Sequence, residues 1–324
     1  MLRLKRKYYQ MGFYLLLSGM LLGGLTPLRP PDRTVNAASY LTITDDLGRS
    51  VTLKKKPGRV VVISTSLLDL YYGVGGKAVG RIASSHKVLA PETERLPVVG
   101  RIGLIDPEKL VALRPDLIIS LEGTSEKLIP VLTNNKLPII FLRLKTYNDV
   151  RQKIKLFGLI AGTEGQASRQ RRLLADRMQK ITAKLPAKSK KIVILHATAK
   201  SVTVELENSL TGSIAKMLRL ENIAAGSKRI RGDPDATPYS LERLVGGDPD
   251  LILITVMGNM TNIERRIRAD VKFNPAWANL RAVRNRKVFF LPYRLFTFNP
   301  GIHYDQSVAY LAKIAYPEVY ANAK

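Results

Sequence analysis

"EKLVALRPDLIIS" runs from Glu108 to Ser120, and "ERLVGGDPDLILI" runs from Glu242 to Ile254. Each stretch sets a carboxylate ahead of a short apolar run, then Pro-Asp, then a hydrophobic strand. In the wider first copy, "DPEKLVALRPDLIIS", Asp106 caps a helix whose first residue is Pro107, where the missing N–H costs nothing. Leu110, Val111 and Leu113 are expected to face inward, and the helix must stop before Pro115, because the residue preceding a proline avoids the helical region. In "YSLERLVGGDPDLILI", Ser240 takes the capping role and Leu244 and Val245 the inward one. A helix leading into a strand buried on both faces is a parallel α/β unit. Its recurrence predicts one such lobe in each half of the chain.

The neighbouring segments agree. "ITDDLGRSVTL" reads as a small hairpin with Asp46 to Gly48 near its turn, and "RVVVIS" is a β-branched run followed by helical spacing in "SLLDLYYGVGG". "AVGRIA", "DLIIS" and "PIIFL" complete the strands of a first lobe over residues 38–145. "KIVILH", "SVTVEL", "DLILIT" and "KVFFLP" read as strands of a second lobe over 188–324, with "SLTGSIAKMLRL" and "SLERLVG" as helices. Between the lobes, residues 146–187 form a helical connection. Its long helix is expected to start with a capping box of Thr163 and Gln166, and Ala167, Leu174, Met178, Ile181 and Leu185 keep one face apolar. About 22 residues at 1.5 Å each give roughly 33 Å, enough for a stiff strut across a domain. Its basic side, with Arg169, Arg171, Arg172, Arg177, Lys180 and Lys184, reads as a solvated face. The fold class expected is α/β, with two Rossmann-like lobes joined by a single long helix.

Composition sets the setting. The 324 residues are 45% hydrophobic and 24% charged, the balance of a folded globular chain of two ordinary domains. Arg3, Lys5, Arg6 and Lys7 precede an apolar stretch from Met11 to Leu25, and small residues at Val35 and Ala37 stand at minus three and minus one of a cleavage point, so residues 1–37 read as a secretory signal peptide cleaved near Ala37. An uncleaved anchor is the alternative, although a spanning helix needs about 20 apolar residues. No cysteine occurs. Disulfides, thiolate metal sites, a cysteine nucleophile and the lipid-bearing cysteine of exported lipoproteins are therefore excluded, and a periplasmic, non-lipidated mature protein is expected. Removing the signal, with its six basic residues and one acidic one, lowers the net charge from +26 to +21. That field favours anionic ligands or surfaces. Lys and Arg are scattered and no reading motif occurs, so no nucleic-acid partner is expected.

Taken in order, "DDLGRSVTLKKKPGRVVVIS", "VVGRIGLIDPEKLVALRPDLII", "LERLVGGDPDLILI" and "NPAWANLRAVRNRKVFFLP" resemble the periplasmic substrate-binding proteins that deliver iron-siderophores, heme and cobalamin to ABC transporters. That resemblance implies two Rossmann-like lobes bridged by one helix and a monomer that serves an ABC permease and its ATPase. In that class an acidic residue on each lobe salt-bridges to permease arginines, and the matching positions are Glu108 and Glu242. The plainer reading of either acid is that it complements the positive end of its own helix, a gain of about 0.3–1 kcal/mol.

Ligands of open α/β sheets collect beyond the carboxyl ends of the strands. Those ends are Ser64, Thr65 and Ser66, then His86, Leu121 to Gly123, His196, Thr255 to Gly258, and Tyr293 with Arg294. His86 and His196 are either metal-directed ligands or ordinary hydrogen-bonded histidines. His303, in "NPGIHYDQS", reads as structural. "LILITVMGNM" resembles a stretch of Gram-positive heme-binding lipoproteins in which a histidine before glycine ligates iron; here Met257 stands in that place, able to ligate through its thioether or merely to pack. Arg231 and Arg294 can pair with anionic ligand groups. The expected cargo is an iron chelate or heme, with cobalamin as the alternative. No catalytic cofactor is expected. "GVGGKAVG" lacks the Lys-Ser/Thr pair of a phosphate loop and no Gly-x-Ser-x-Gly elbow occurs, so an exported hydrolase is the weaker rival.

Overall fold

The computed structural model describes residues 39–84 and 90–321. The proposed signal segment and its cleavage point, and His86, lie outside the described residues. Among the described residues no helix is long and apolar enough to cross a membrane.

The chain begins with an antiparallel hairpin, β1 (Leu41–Thr44) and β2 (Ser50–Leu53). Gly48 at its turn has φ +77, the left-handed region. Asp45, buried beneath the turn, accepts the amides of Leu47, Arg49 and Phe141 and the Arg49 guanidinium. Burial works against its charge, but these donors outweigh burial and hold the carboxyl below its usual range.

The first lobe follows. β3 (Val60–Val62), α1 (Thr65–Gly73), β4 (Gly80–Arg81), the small antiparallel pair β5 (Gly100–Arg101) and β6 (Leu104–Ile105), α2 (Pro107–Ala112), β7 (Leu117–Leu121), α3 (Ile129–Asn134) and β8 (Ile139–Leu142) run in that order. A parallel sheet of order β4-β3-β7-β8 results. Val60, Val61 and Val62 are all buried, because the alternate residues pack against two different clusters on the two faces.

Two helices lead to the second lobe, α4 (Tyr147–Ala161) and α5 (Glu164–Thr182). The expected capping box of Thr163 and Gln166 does not form: the Thr163 hydroxyl is buried without a partner. Gln166 is instead drawn against Gly75. A capping box is present one helix earlier, where Thr146 and Asp149 satisfy each other's amides at the start of α4. The reason is the turn. Gly162, at φ +65, ends α4, and α5 follows so closely that a Cβ on Gly158 would lie 2.5 Å from that of Ala167. At 19 residues α5 is shorter than expected, about 28 Å at 1.5 Å per residue.

The second lobe contains β9 (Lys191–Thr198), β10 (Val202–Glu205), α6 (Leu210–Met217), β11 (Glu221–Asn222), β12 (Ala236–Pro238), α7 (Leu241–Gly247), β13 (Leu251–Met257), α8 (Met260–Phe273), α9 (Pro275–Ala278), α10 (Arg281–Arg284), β14 (Val288–Phe290), α11 (Tyr293–Phe296), α12 (Tyr304–Ala315) and α13 (Pro317–Tyr320). Its sheet has the order β12-β10-β9-β13-β14, with β11 beside β9. β9, β13 and β14 are parallel, whereas β10 and β12 are antiparallel additions. The two lobes keep separate sheets. One continuous apolar cluster joins them, passing from Val62, Ile119 and Leu142 through Leu174 and Met178 of α5 and Val308 and Leu311 of α12 to Ile194 and Leu253. The joining helix is thus part of both cores.

The repeated phrase is a structural repeat. Asp106 accepts the amides of Glu108 and Lys109, and Ser240 accepts that of Arg243. Leu110 and Leu244 are buried, but Val245 is 42% exposed, so it does not take the expected inward position. Both helices end on a positive-φ residue before Pro-Asp, Arg114 at φ 45 and Asp248 at φ 36. The aspartate that follows clamps the start of the neighbouring parallel strand: Asp116 accepts the amides of Gly58 and Arg59 at 2.8 Å, and Asp250 that of Lys191 at 2.8 Å.

Candidate functional site

β3 ends in Ile63 and Ser64, and the chain turns directly into α1. Ser64 has extended backbone geometry and its hydroxyl accepts the Leu67 amide at 3.4 Å. This places Ser64, Thr65 and Ser66, the whole first turn, on the wall of a cavity of about 540 Å³. Further strand ends of the first lobe contribute Ile82 to Ser84, Leu121 and Thr124, and the β5–β6 hairpin adds Ile102.

The opposite wall is built by the segment that leaves β14. Leu291 donates to Ile254 O at 2.8 Å, and Thr297 Oγ1 donates to Val256 O at 3.0 Å, so the segment starts fastened to the second sheet. It then reaches the first lobe: Asn299 Nδ2 donates to Lys145 O at 3.4 Å. Gly301, at φ +58, lies so close to Leu70 of α1 that a Cβ there would sit 3.2 Å from Leu70 Cδ1. Arg177 of α5 donates to Ile302 O at 2.8 Å and pairs with Asp305 at 2.9 Å. That member of the basic side of α5 therefore holds a cavity wall, unlike the solvated face expected. Arg294, Phe298, Asn299, His303 and Gln306 line this side.

The sequence-selected residues fall into three groups. Ser64, Thr65, Ser66 and Arg294 meet at the cavity. Tyr293 stands behind it, its ring edge-on to Phe298 at 5.0 Å, with burial raising its hydroxyl pKa. His196 and Met257 lie off the wall. His196 Nδ1 shares a hydrogen bond with Thr255 Oγ1 at 2.9 Å, and Thr255 in turn donates to the buried Glu205 at 2.5 Å, a chain across three strands. Met257 is 48% exposed at the end of β13. Among the described residues no group of three or more histidine, cysteine or acidic side chains converges as a metal site.

His303, read from sequence as structural, sits on the cavity wall. Burial pushes its pKa below the ordinary value; Arg177 and Arg294 add to this and Asp305 opposes it. Asp69, one turn along α1 from Thr65, is the other ionisable residue of the wall that sequence reading missed. The helical spacing of α1 could have indicated Asp69. His303 follows no strand, so the strand-end rule gave no signal for it.

Glu108 and Glu242 are exposed in the first turns of α2 and α7. Near Glu108 in sequence, Ile102 and Leu104 of the β5–β6 hairpin are 55% and 58% exposed. The lobes are also tied by an ion pair of Lys145, just after β8, with Asp235, just before β12.

The model of the periplasmic binding protein family matches residues 60–295. The Fe(3+)-citrate-binding protein YfmC of Bacillus subtilis is 30% identical over 258 residues, covering 76% of each chain. The molybdate-binding protein MolA of Haemophilus influenzae is 24% identical over 77% of each chain. Among solved structures, S. aureus IsdE complexed with heme superposes with a TM-score of 0.71 at 21% identity, covering 80% of this chain and 98% of that one, a likeness of fold.

Proposed function

From the premise that this chain belongs to the periplasmic binding protein family, we propose that it captures an iron complex, heme or a ferric siderophore, between its lobes and hands it to an ABC importer. The observation that carries the reading is the cavity of about 540 Å³ walled from both lobes, within the range of about 300–1,000 Å³ usual for small-molecule sites. A B. subtilis relative named for ferric citrate supports an iron cargo. On this reading residues 38–145 and 188–324 are the jaws and 146–187 the connector, and the chain makes and breaks no bond. It acts as an exported, non-lipidated monomer after loss of residues 1–37, with a permease and its ATPase as partners. Ser64, Thr65, Ser66 and Arg294 contact the ligand directly. His86, His196, Met257 and Tyr293 complete the proposed ligand-binding set. Glu108 and Glu242 serve as the two docking acids. Cobalamin is the second cargo to test, since the same cavity has apolar walls at Ile63, Ile82 and Phe298.

Titration of the purified chain from residue 38 onward with hemin, ferric citrate, cobalamin and molybdate separates these cargoes. Saturable one-to-one binding of an iron complex, with a dissociation constant of about 1 µM or tighter and a rise in thermal midpoint on loading, is the expected result. Absence of binding by all four would remove the carrier reading.

A further inference from the structure

The cavity uses the carboxyl ends of the first sheet, where Ser64 follows β3 and Leu121 ends β7. The opposite edge of that sheet, at the amino ends of β7 and β8, carries a second, open groove of about 470 Å³. The β1–β2 hairpin forms one side of it. The Asp46 amide donates to Phe141 O at 2.9 Å and Arg49 donates to Ile139 O at 2.8 Å, which fastens the hairpin beside β8. Lys54 and Lys55, just past β2, and Lys136, shortly before β8, line the groove together with the apolar Val51 and Pro138. Lysines distant in sequence meet here.

Their charge is uncompensated. Lys54, Lys55 and Lys136 are exposed, and none pairs with a carboxylate among the described residues. Asp116 is the one acid of the lining, and its oxygens are spent on the amides of Gly58 and Arg59. Lys56 and Arg59, exposed next in the chain, add to the positive field, and the Arg59 guanidinium donates only to the carbonyls of Leu113 and Arg114.

Residue type narrows the partner. A free guanidinium fork would orient a peptide carboxylate, but Arg49 is held by Asp45 and Arg59 by the backbone. What remains is three ammonium groups on flexible, hydrated stems. These impose no fixed geometry, so they suit a surface of many mobile charges better than one oriented acid. The location agrees. Leu41 at the start of β1 pairs with Leu53, so the chain enters the described fold beside Lys54. The apolar stretch that ends at Leu25 lies fifteen residues upstream, 26–40, a length that spans at most about 50 Å. A membrane holding that stretch during export is within reach of this face.

Resting on the carrier reading above, in which the chain is exported and carries no lipid, we propose that Lys54, Lys55 and Lys136 form a docking face for an anionic phospholipid surface. The face holds the released carrier on the membrane that bears its importer. Glu108 stands in the first turn of α2 and Asp116 just past the end of that helix. The docking acid and the lysine face are therefore separate.

The test uses the chain from residue 38 onward and co-sedimentation with vesicles of phosphatidylcholine, alone or with about 30% phosphatidylglycerol, at low and high salt. The groove variant combines Lys54→Gln, Lys55→Gln and Lys136→Gln. A control with the same loss of charge combines Arg169→Gln, Arg172→Gln and Lys180→Gln on the exposed side of α5. All six positions are exposed, so both variants keep the fold. Wild type should bind the anionic vesicles alone and release them in salt. The groove variant should bind them at least tenfold more weakly, at about fivefold per lysine, and the control should stay within about threefold of wild type. Equal losses in the two variants would assign the binding to net charge and overturn the face. Absence of wild-type binding to anionic vesicles overturns it too. Retention by a polyglutamate peptide that exceeds retention by vesicles, and that the groove variant loses, overturns the lipid partner in favour of an acidic protein. Cargo titration of the groove variant should match wild type, and cargo binding by wild type, read separately, decides the carrier reading whatever the vesicles show.

Discussion

His303 illustrates how one side chain's role depends on what the chain brings next to it. Its imidazole is half-buried beside two guanidinium groups, and burial is the larger cause of its depressed pKa. In the unfolded chain it titrates near 6.5. The sign follows from proton counting: just below 6.5 the unfolded state binds more protons than the folded state, so stability is undiminished above that pH and falls as pH drops toward the folded value. Urea unfolding at pH 7.5 and 5.5 should show a larger loss of midpoint in wild type than in His303→Asn. Equal losses would mean the imidazole is not held neutral. At this scale Ser64, Thr65 and Ser66 were readable because they directly follow a strand. His303 was not, because its place on the wall depends on Arg177 from another helix holding Ile302.

The repeated phrase belongs to the scale of the element. Its capping and Pro-Asp chemistry is local, so the helices it predicts are present, ended by positive-φ residues that let the chain turn into the strand. What the phrase did not announce is the partner of its aspartates. Asp116 grips the residues leading into β3, Gly58 and Arg59, and Asp250 grips the first residue of β9, strands far away in sequence. Replacing either by Ala should cost about 1–3 kcal/mol, the range for leaving amides without their charged acceptor. Chemical denaturation reads this directly. Glu108→Ala, at an exposed first-turn position, should stay within about 0.5 kcal/mol. Matching losses for Asp116→Ala and Glu108→Ala would dismiss the clamp. The misplaced capping box has a similar lesson. Thr163 carries the right residue type, but the tight turn set by Gly162 buries its hydroxyl away from the helix amides.

On the scale of the whole molecule, the question is whether the twin acids are read together by a partner. Each is exposed, and each stands on an equivalent helix of its own lobe. The double variant Glu108→Lys with Glu242→Lys should abolish uptake of the bound complex in a strain carrying the cognate importer, while titration in solution gives an unchanged dissociation constant. Uptake at the wild-type rate would remove the docking role. If the two acids dock the permease, either substitution alone should give a partial loss, because one acid remains.

The two α/β lobes, the helical connection, the β-branched strands and the first-turn hydroxyls followed from sequence alone, because hydrophobic period, caps and proline rules act over a few residues; the antiparallel pairing of β10 and β12 did not. The cavity's second wall did not. It exists only because the segment after β14 leaves one sheet, is pinned by Thr297 and Asn299, and comes to rest on α1 of the other lobe. The same holds for the chain of half-buried His196 with buried Thr255 and Glu205, which joins residues from three strands by register. Contacts of this kind depend on which distant segments the folded core brings together, and no local rule carries that information.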